Sequence, residues 1–490
     1  LIRSVFVGQD SLGVYISVPF CKAKCTYCNF ASGVFGPERM GHYVEQVCAE
    51  MRGARAAAER VAAKLPSRVD SVFFGGGTPS LLGAEQMRRL FAALRGEFDV
   101  ASDAEITLEC APGQLGDETL EEMLRQGMNR VSFGVQSFVD SEARAVGRLH
   151  TRAMCLAEIA RMRAVGVGNI NVDLIAGLPG QTAATWRESV EVALGTGVPH
   201  MSIYMLEVDE DSRLGREVLS AGNREQGLGN REQGLGNREQ GLGKRLRYGA
   251  EAVPSEDESA EWYGEACGWL AADGVGQYEI SNFARGEWGG WRQRDNDGDS
   301  DSLSQNDAVW GVGDQVEGVG DRVWGVGGQV GGVGEQVAGY RSRHNVKYWR
   351  REPYVGFGLD AHSMLRTAEG AVRWANADDL AVYEGQSSAG DGGLVRLGVG
   401  RAFEPEIEVV GREAGFEEAV FLGLRMNVGV DLEDLREEYG DSLVGGCEAA
   451  LAEVVEAGLM ERDGSRIRLT ARGRMASNEV FSRLLVEAAV

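Results

Sequence analysis

Long apolar runs are missing from this chain, and so is a fourth cysteine in the one place where cysteines cluster. No stretch approaches the length of a membrane-crossing helix, and the opening residues LIRSVFVGQDSLG lack the charged, apolar and cleavage regions of a signal peptide in that order. Basic charge is also short: 50 Lys and Arg stand against 74 Asp and Glu, a formal net charge of −24. That balance argues against nonspecific binding to nucleic acid or anionic lipid. Of eight cysteines, Cys21, Cys25 and Cys28 are clustered while Cys48, Cys110, Cys155, Cys267 and Cys447 are scattered. Such spacing is not a disulfide framework and fits a reducing compartment, so the expected location is the cytoplasm. What is present is a chain of 490 residues with 43% hydrophobic content, enough for a large core and more than one domain.

Short β-branched runs alternate with helical segments from residue 14 to about 207. Strands are expected at VYISV (14–18), DSVFF (70–74), EITLEC (105–110), RVSFGV (130–135), NINVDLI (169–175) and MSIYML (201–206). Helices are expected at segments such as EQMRRLFAALRGEF, DETLEEMLRQG and AMCLAEIARMRAVG. Six strand-helix units imply an α/β fold with a parallel sheet, closed into a partial or full barrel. Two segments break the pattern. NREQGLG repeats three times at 223–243, and with two glycines and one leucine per repeat it cannot hold a heptad seam. A second insert, about 286–340, is rich in Gly, Asp and Gln, with Val and Trp recurring among the glycines, and reads as disorder in preference to a marginal β-rich appendage. The resulting division is a core barrel over 1–215, a repeat insert over 216–250, the end of the core over 251–285, the low-complexity insert over 286–340, a histidine-bearing region over 341–400 and a C-terminal domain over 401–490. In the last, helical segments surround a small β-hairpin, a winged-helix-like pattern for which the acidic balance favours a packing or lid role over DNA binding.

The stretch YISVPFCKAKCTYCNF carries Cys21, Cys25 and Cys28 and then Asn29 and Phe30. A structural zinc site is usually closed by four side chains, whereas a cubane iron-sulfur cluster on three thiolates keeps one iron open for another ligand. A zinc loop completed by a distant histidine and three unrelated buried thiols are the alternatives. The Cys-x3-Cys-x2-Cys spacing, with aromatic Tyr27 before the last cysteine, resembles the radical S-adenosylmethionine (SAM) superfamily. That resemblance implies a [4Fe-4S] cluster whose open iron chelates the amino and carboxylate groups of SAM.

In parallel strand-helix barrels the working residues sit at the C-terminal strand ends. The first expected strand runs into the cysteine loop, and the second ends in FGGGTPS, whose glycines let backbone N–H groups approach a ligand, or simply make a tight turn. The third ends near Glu109, a carboxylate able to accept from a ribose diol; the fourth ends at Gln136; the fifth contains Asp173, a charge in an apolar run that is costly unless paired.

VYISVPFC, FFGGGTPS, SFGVQSF, DLIAGLPGQT, QYEISNFA and RHNVKYW together resemble the coproporphyrinogen-dehydrogenase-like branch of radical SAM proteins, and within it the heme-chaperone group. The resemblance implies a radical SAM partial (β/α)6 barrel with a C-terminal helical, winged-helix-like domain. It implies that Cys21, Cys25 and Cys28 hold the cluster and that Tyr15, Gly76, Gly77, Thr78, Glu109, Gln136, Arg148 and Asp173 line SAM. The dehydrogenase members carry a further cysteine two residues after the third and a longer segment before the cluster; here that position is Phe30 and 20 residues precede Cys21. HNVKYW matches the HNxxYW motif of the chaperone group, which makes His344 the expected heme ligand, with Tyr348 and Trp349 as an aromatic wall and His362 as a second candidate. The expected function is a heme chaperone that passes heme to an acceptor protein. The runner-up is oxidative decarboxylation of coproporphyrinogen III, and a transcriptional or scaffold role is a third reading. Expected partners are heme and its acceptor, with no nucleic acid; a homodimer and a peripheral membrane contact stay open.

Overall fold

Strands form at all six expected places. β1 (Ser11–Val18), β2 (Arg68–Gly76), β3 (Asp99–Cys110), β4 (Arg130–Gln136), β5 (Asn169–Ala176) and β6 (His200–Met205) pair in parallel in that order. Between them run α1 (Pro37–Arg60), α2 (Ala84–Glu97), α3 (Asp117–Arg125), α4 (Asp140–Ala145), α5 (Arg152–Ala164) and α6 (Ala183–Gly195). This is a computed structural model, and the residues it describes are 11–220, 247–286, 339–386 and 406–484. The repeat at 223–243 and residues 287–338 of the second insert, both expected to be flexible or disordered, lie outside the described residues. Apart from the flanking Gly286 and Gly339, the described residues belong to one unit.

Each strand obeys a strict alternation that decides what the sheet encloses. Leu12, Val14, Ile16 and Val18 of β1 are fully buried against the helices, notably Val44, Val47 and Met51 of α1, each such side chain contributing ~1.5–3 kcal/mol. The intervening residues face the other way, and they are polar: Glu105, Thr107 and Glu109 on β3, Arg130, Ser132 and Gln136 on β4, Asn171 and Asp173 on β5, His200 and Ser202 on β6. A parallel sheet covered on both faces is normally apolar on both. Here the inner face is a polar lumen, which suits it to a site.

The sheet also extends beyond the six strands to twelve. β7 (Gly276–Gln277) and β8 (Asn282–Ala284) add antiparallel beside β6, while β9 (Tyr354–Phe357) joins β1 in parallel and is followed by antiparallel β10 (His362–Arg366), β11 (Ala371–Ala375) and β12 (Glu408–Val410). Around it lie α7 (Glu256–Ala272), α8 (Arg343–Trp349) and α9 (Leu380–Gln386). Where the second insert leaves and returns, Tyr340 N–H donates to Arg285 C=O at 3.4 Å. The strand before it and the helix after it are therefore joined in space as if contiguous.

The C-terminal part is α10 (Arg412–Arg425), α11 (Leu432–Tyr439), α12 (Asp441–Glu456), α13 (Ala471–Met475) and α14 (Ser477–Leu484), with a three-stranded sheet of β13 (Val430–Asp431), β14 (Met460–Asp463) and β15 (Arg466–Leu469). It has its own apolar core around Phe416, Leu424, Val444 and Ile467. Its joint with the barrel is polar: Glu418 pairs with Arg351 at 2.9 Å and Arg373 at 2.8 Å, and Arg351 also donates to Tyr439 at 2.6 Å. Removing one partner of such a buried set leaves an uncompensated charge, so the joint fixes geometry more than it adds stability. Among the described residues no helix is long and apolar enough to cross a membrane.

Candidate functional site

The cysteine loop begins where β1 ends and is closed at its neck by Cys21 N–H to Gly33 C=O and Gly33 N–H to Pro19 C=O, both 2.9 Å. Lys24 Nζ crosses the loop to the carbonyls of Phe30 and Ser32 at 3.1 and 3.0 Å. Two neighbouring segments brace it. Thr26 N–H donates to Val146 C=O at 3.1 Å, and Leu214 N–H donates to Thr26 C=O at 2.8 Å. Arg213 donates to Lys24 C=O, and Asn29 Nδ2 donates to Asp209 Oδ2 at 2.6 Å. Residues 209–214 thus form a strap touching the loop at 24, 26 and 29, interleaved with the cysteines.

Cys21, Cys25 and Cys28 are free thiols, half-buried, and burial pushes the thiols of Cys21 and Cys28 up. The sulfurs face polar hydrogens: Thr78 Oγ1 lies 3.8 Å from Cys21 Sγ, Arg148 Nη1 3.4 Å from Cys25 Sγ, and Ser32 Oγ 3.9 Å from Cys28 Sγ. Among the described residues no three His, Cys, Asp or Glu side chains converge as around a single ion. Three soft sulfur donors on one braced loop are the donor set that an iron-sulfur cluster would take.

The expected SAM-lining residues are spread over the inner face and its cysteine end. Tyr15 forms a triangle of rings with Phe73 and His344, their centroids 6.0 and 6.1 Å from it and 5.3 Å from each other. Gly76 has φ +101°, in the left-handed region, and a Cβ on Gly77 would come within 2.9 Å of the Val18 and Phe20 carbonyl oxygens. The glycine run does let the backbone come close, but its partner is the cysteine loop: Gly77 N–H donates to Val18 C=O and Thr78 N–H to Phe20 C=O, both at 2.8 Å. Those two amides are consumed within the protein, and Gly76 N–H supports the Glu109 carboxylate. The expectation that these N–H groups face SAM does not hold for them; the approach that needs glycine is strand to loop.

Glu109 has its carboxyl pushed up to about 8 by burial and by Asp173 nearby, and burial raises Asp173 as well, although Ser132 and Asn171 donate to it at 3.2 and 2.7 Å. Two carboxyls raised by burial in one lumen offer oxygens to a ligand's donors. Gln136, with φ +69°, holds Oε1 buried without a protein partner, and Arg148 Nε is likewise unpartnered. A strained residue and orphaned polar atoms at a strand end are what a ligand with both donors and acceptors would satisfy. The chain's residues therefore fit an amino-acid nucleoside such as SAM.

His344 sits deeper in the same lumen, beside Tyr15. It is 1% exposed, on α8, at the N-terminal end of the lumen. Its Nδ1 meets Ser71 Oγ at 3.1 Å, its Nε2 meets Tyr348 Oη at 2.8 Å, and its N–H donates to Glu105 at 3.3 Å. Burial drives its pKa down to about 3. In this geometry neither nitrogen is open to iron. His362, by contrast, is exposed, and its Nδ1 lies 3.1 Å from Asp360 C=O. Of the motif's rings Trp349 serves the joint, with Arg425 stacked over it at 4.3 Å, while Tyr348 packs edge-on against His344 and Tyr354. Sequence reasoning missed the lumen's Arg130, Glu105, Asn171 and Ser202, whose signal was the polar member of each alternating pair, and missed the 209–214 strap, which has no motif.

Comparison with known proteins adds to this geometry. The family model described as the radical SAM superfamily matches residues 15–193, and that of the HemN C-terminal domain matches residues 412–476. The chain is 28% identical over 475 residues to the heme chaperone HemW of Bacillus subtilis, covering 96% of this chain and 99% of that one. It is 29% identical over 480 residues to HemW of Mycobacterium tuberculosis, covering 98% and 95%. It is also 25% identical over 492 residues to the mitochondrial radical S-adenosyl methionine domain-containing protein 1 of Danio rerio, covering 97% and 87%. Among solved structures, coproporphyrinogen III oxidase (HemN) of Escherichia coli superposes with a TM-score of 0.67 at 19% identity, covering 97% of this chain and 90% of that one, which establishes the shared fold. The barrel that presents three cysteines from its first strand is thus the part that matches the radical SAM superfamily, the C-terminal domain is the part that matches HemN, and the chain as a whole is similar to HemW proteins along nearly its full length.

Proposed function

We propose that this protein is a cytoplasmic heme chaperone that binds heme and hands it to an acceptor protein, with Cys21, Cys25 and Cys28 holding a [4Fe-4S] cluster and SAM bound in the lumen mouth. The observation that carries the reading is the near end-to-end similarity to proteins named heme chaperone HemW, over 96% of this chain and 99% of the Bacillus subtilis relative. Phe30, 59% exposed where the dehydrogenase members have a further cysteine, supports it. The cluster, when bound, supplies an open iron for the amino and carboxylate groups of SAM. The chain's own part is to hold the ligand: Glu109 and Asp173 accept hydrogen bonds, Gln136 Oε1 accepts one more, Arg148 presents a cation, and Tyr15, Gly76, Gly77 and Thr78 shape the wall.

Of the two candidate heme ligands, His362 is the accessible imidazole. Its Nδ1 sits against a backbone carbonyl, which leaves Nε2 as the metal-facing nitrogen, a common arrangement in metal-binding histidines. His344 would serve only after α8 leaves its seat. The runner-up, oxidative decarboxylation of coproporphyrinogen III, draws on the fold shared with HemN. Anaerobic titration of heme into the cluster-loaded protein separates the two. Saturable, stoichiometric binding with no SAM-dependent loss of coproporphyrinogen III supports the chaperone, and turnover without saturable heme binding overturns it.

A further inference from the structure

The segment carrying Arg148 is built against one cysteine in particular. Gly147, with φ +83°, lies so close to the loop that a Cβ there would be 3.6 Å from Cys25 Cα and from Lys24 C=O. Val146 C=O holds Thr26 N–H at 3.1 Å. The next residue's guanidinium is clamped: Nη2 donates to Gly134 C=O, while Nη1 reaches Cys25 Sγ at 3.4 Å. The other two sulfurs meet hydroxyls instead, Thr78 at 3.8 Å from Cys21 and Ser32 at 3.9 Å from Cys28. Lys24, the nearest other cation in sequence, turns its ammonium to the Phe30 and Ser32 carbonyls.

We propose that Arg148 sets the reduction potential of the cluster, through a fixed cationic hydrogen bond to the Cys25 sulfur, whatever it also does for SAM. When a low-potential one-electron donor reduces the oxidised [4Fe-4S] form, one electron arrives on the cluster and no proton need follow. The added negative charge spreads onto the thiolate sulfurs, where a guanidinium at hydrogen-bond distance stabilises it. Reduction is then favoured locally in a chain whose net charge of −24 opposes it. Arg148 is in this respect a positioning residue: it acts through Cys25 and not on a reacting atom.

The test needs neither heme nor SAM, so its outcome is separate from the chaperone reading. The full chain is reconstituted anaerobically, and the wild type, Arg148→Gln, Arg148→Lys and Ser32→Ala are titrated redoximetrically with the reduced cluster followed by EPR. Arg148→Gln should lower the reduced-to-oxidised ratio at fixed solution potential about tenfold, which is a 59 mV negative shift for one electron. Arg148→Lys should fall between, and Ser32→Ala should move little. Arg148→Gln with full iron and sulfide content and an unshifted midpoint overturns the proposal. If the glutamine variant assembles no cluster, pulsed EPR on the wild type with 15N-guanidinium arginine decides: a hyperfine coupling to a guanidinium nitrogen is expected, and its absence is contrary.

Discussion

Glu109 and Asp173 face the same lumen from β3 and β5, and what they do depends on pH. With the Glu109 carboxyl raised to about 8 from an ordinary value of 4.5, the folded protein binds a proton there that the unfolded chain has released. The contribution is fully present below about pH 4.5 and is lost as pH rises through about 8. Glu109→Gln, which keeps the shape of the neutral acid, should therefore match the wild type at pH 5 and exceed its stability by about 2–4 kcal/mol at pH 9 in the absence of ligands, measured by urea unfolding. An unchanged difference across that range would mean the carboxyl is not desolvated. At pH 9, where the carboxyl is ionised, the same substitution should weaken SAM binding at least about tenfold, since hydrogen bonds to a charged acceptor are worth ~1.5–3 kcal/mol. Cysteine identity and spacing were readable in the sequence because ligand chemistry demands them. The inward polar residues were equally visible, since EITLE and NINVD alternate strictly, but only pairing shows that four strands aim them at one volume.

At the scale of elements, α8 shows how a motif can be read correctly as important and differently placed. Arg343–Trp349 is seven residues long, capped by Ser342 and by the Glu105 carboxylate behind it, and it plugs the lumen floor. His344→Ala should destabilise the protein by about 2–4 kcal/mol, because Ser71 and Tyr348 lose a buried partner. Its neutral, buried ring is a contribution present above about pH 6.5 and lost as pH falls towards about 3. If instead the variant is as stable as the wild type, α8 is not the plug described. The strap gives a second prediction: Arg213→Ala and Asp209→Ala should speed chelator-driven iron loss by about 3–10-fold, each removing one brace worth ~0.5–1.5 kcal/mol. The six barrel strands were legible because each is a β-branched run followed by a helix. β9 to β12 were not, being three to five residues long and broken by glycine at Gly356, Gly358 and Gly370, so that only their pairing partners define them.

For the whole molecule, the sequence revealed the inserts as departures in composition, and the structure shows what the second one interrupts. Arg285 and Tyr340 meet at its two ends, so excising 287–338 should leave Tm within about 4 °C and cluster content unchanged, a small effect expected of loop shortening. Loss of folding on excision would contradict that. The C-terminal domain, by contrast, is tied to the barrel through Arg351, Arg373 and Glu418, and Glu418→Ala should cost about 3–5 kcal/mol by leaving Arg351 buried without its carboxylate, while the half-exposed Arg373 keeps Glu408. The measurement that bears most directly on the central claim is transfer: the cluster-loaded protein is charged with one equivalent of heme, mixed anaerobically with an excess of a b-type apoprotein, and followed by visible spectroscopy. Saturable loading is expected, followed by heme movement to the acceptor that is faster than from free solution. No saturable loading, or heme that moves no faster than from solution, would contradict that claim.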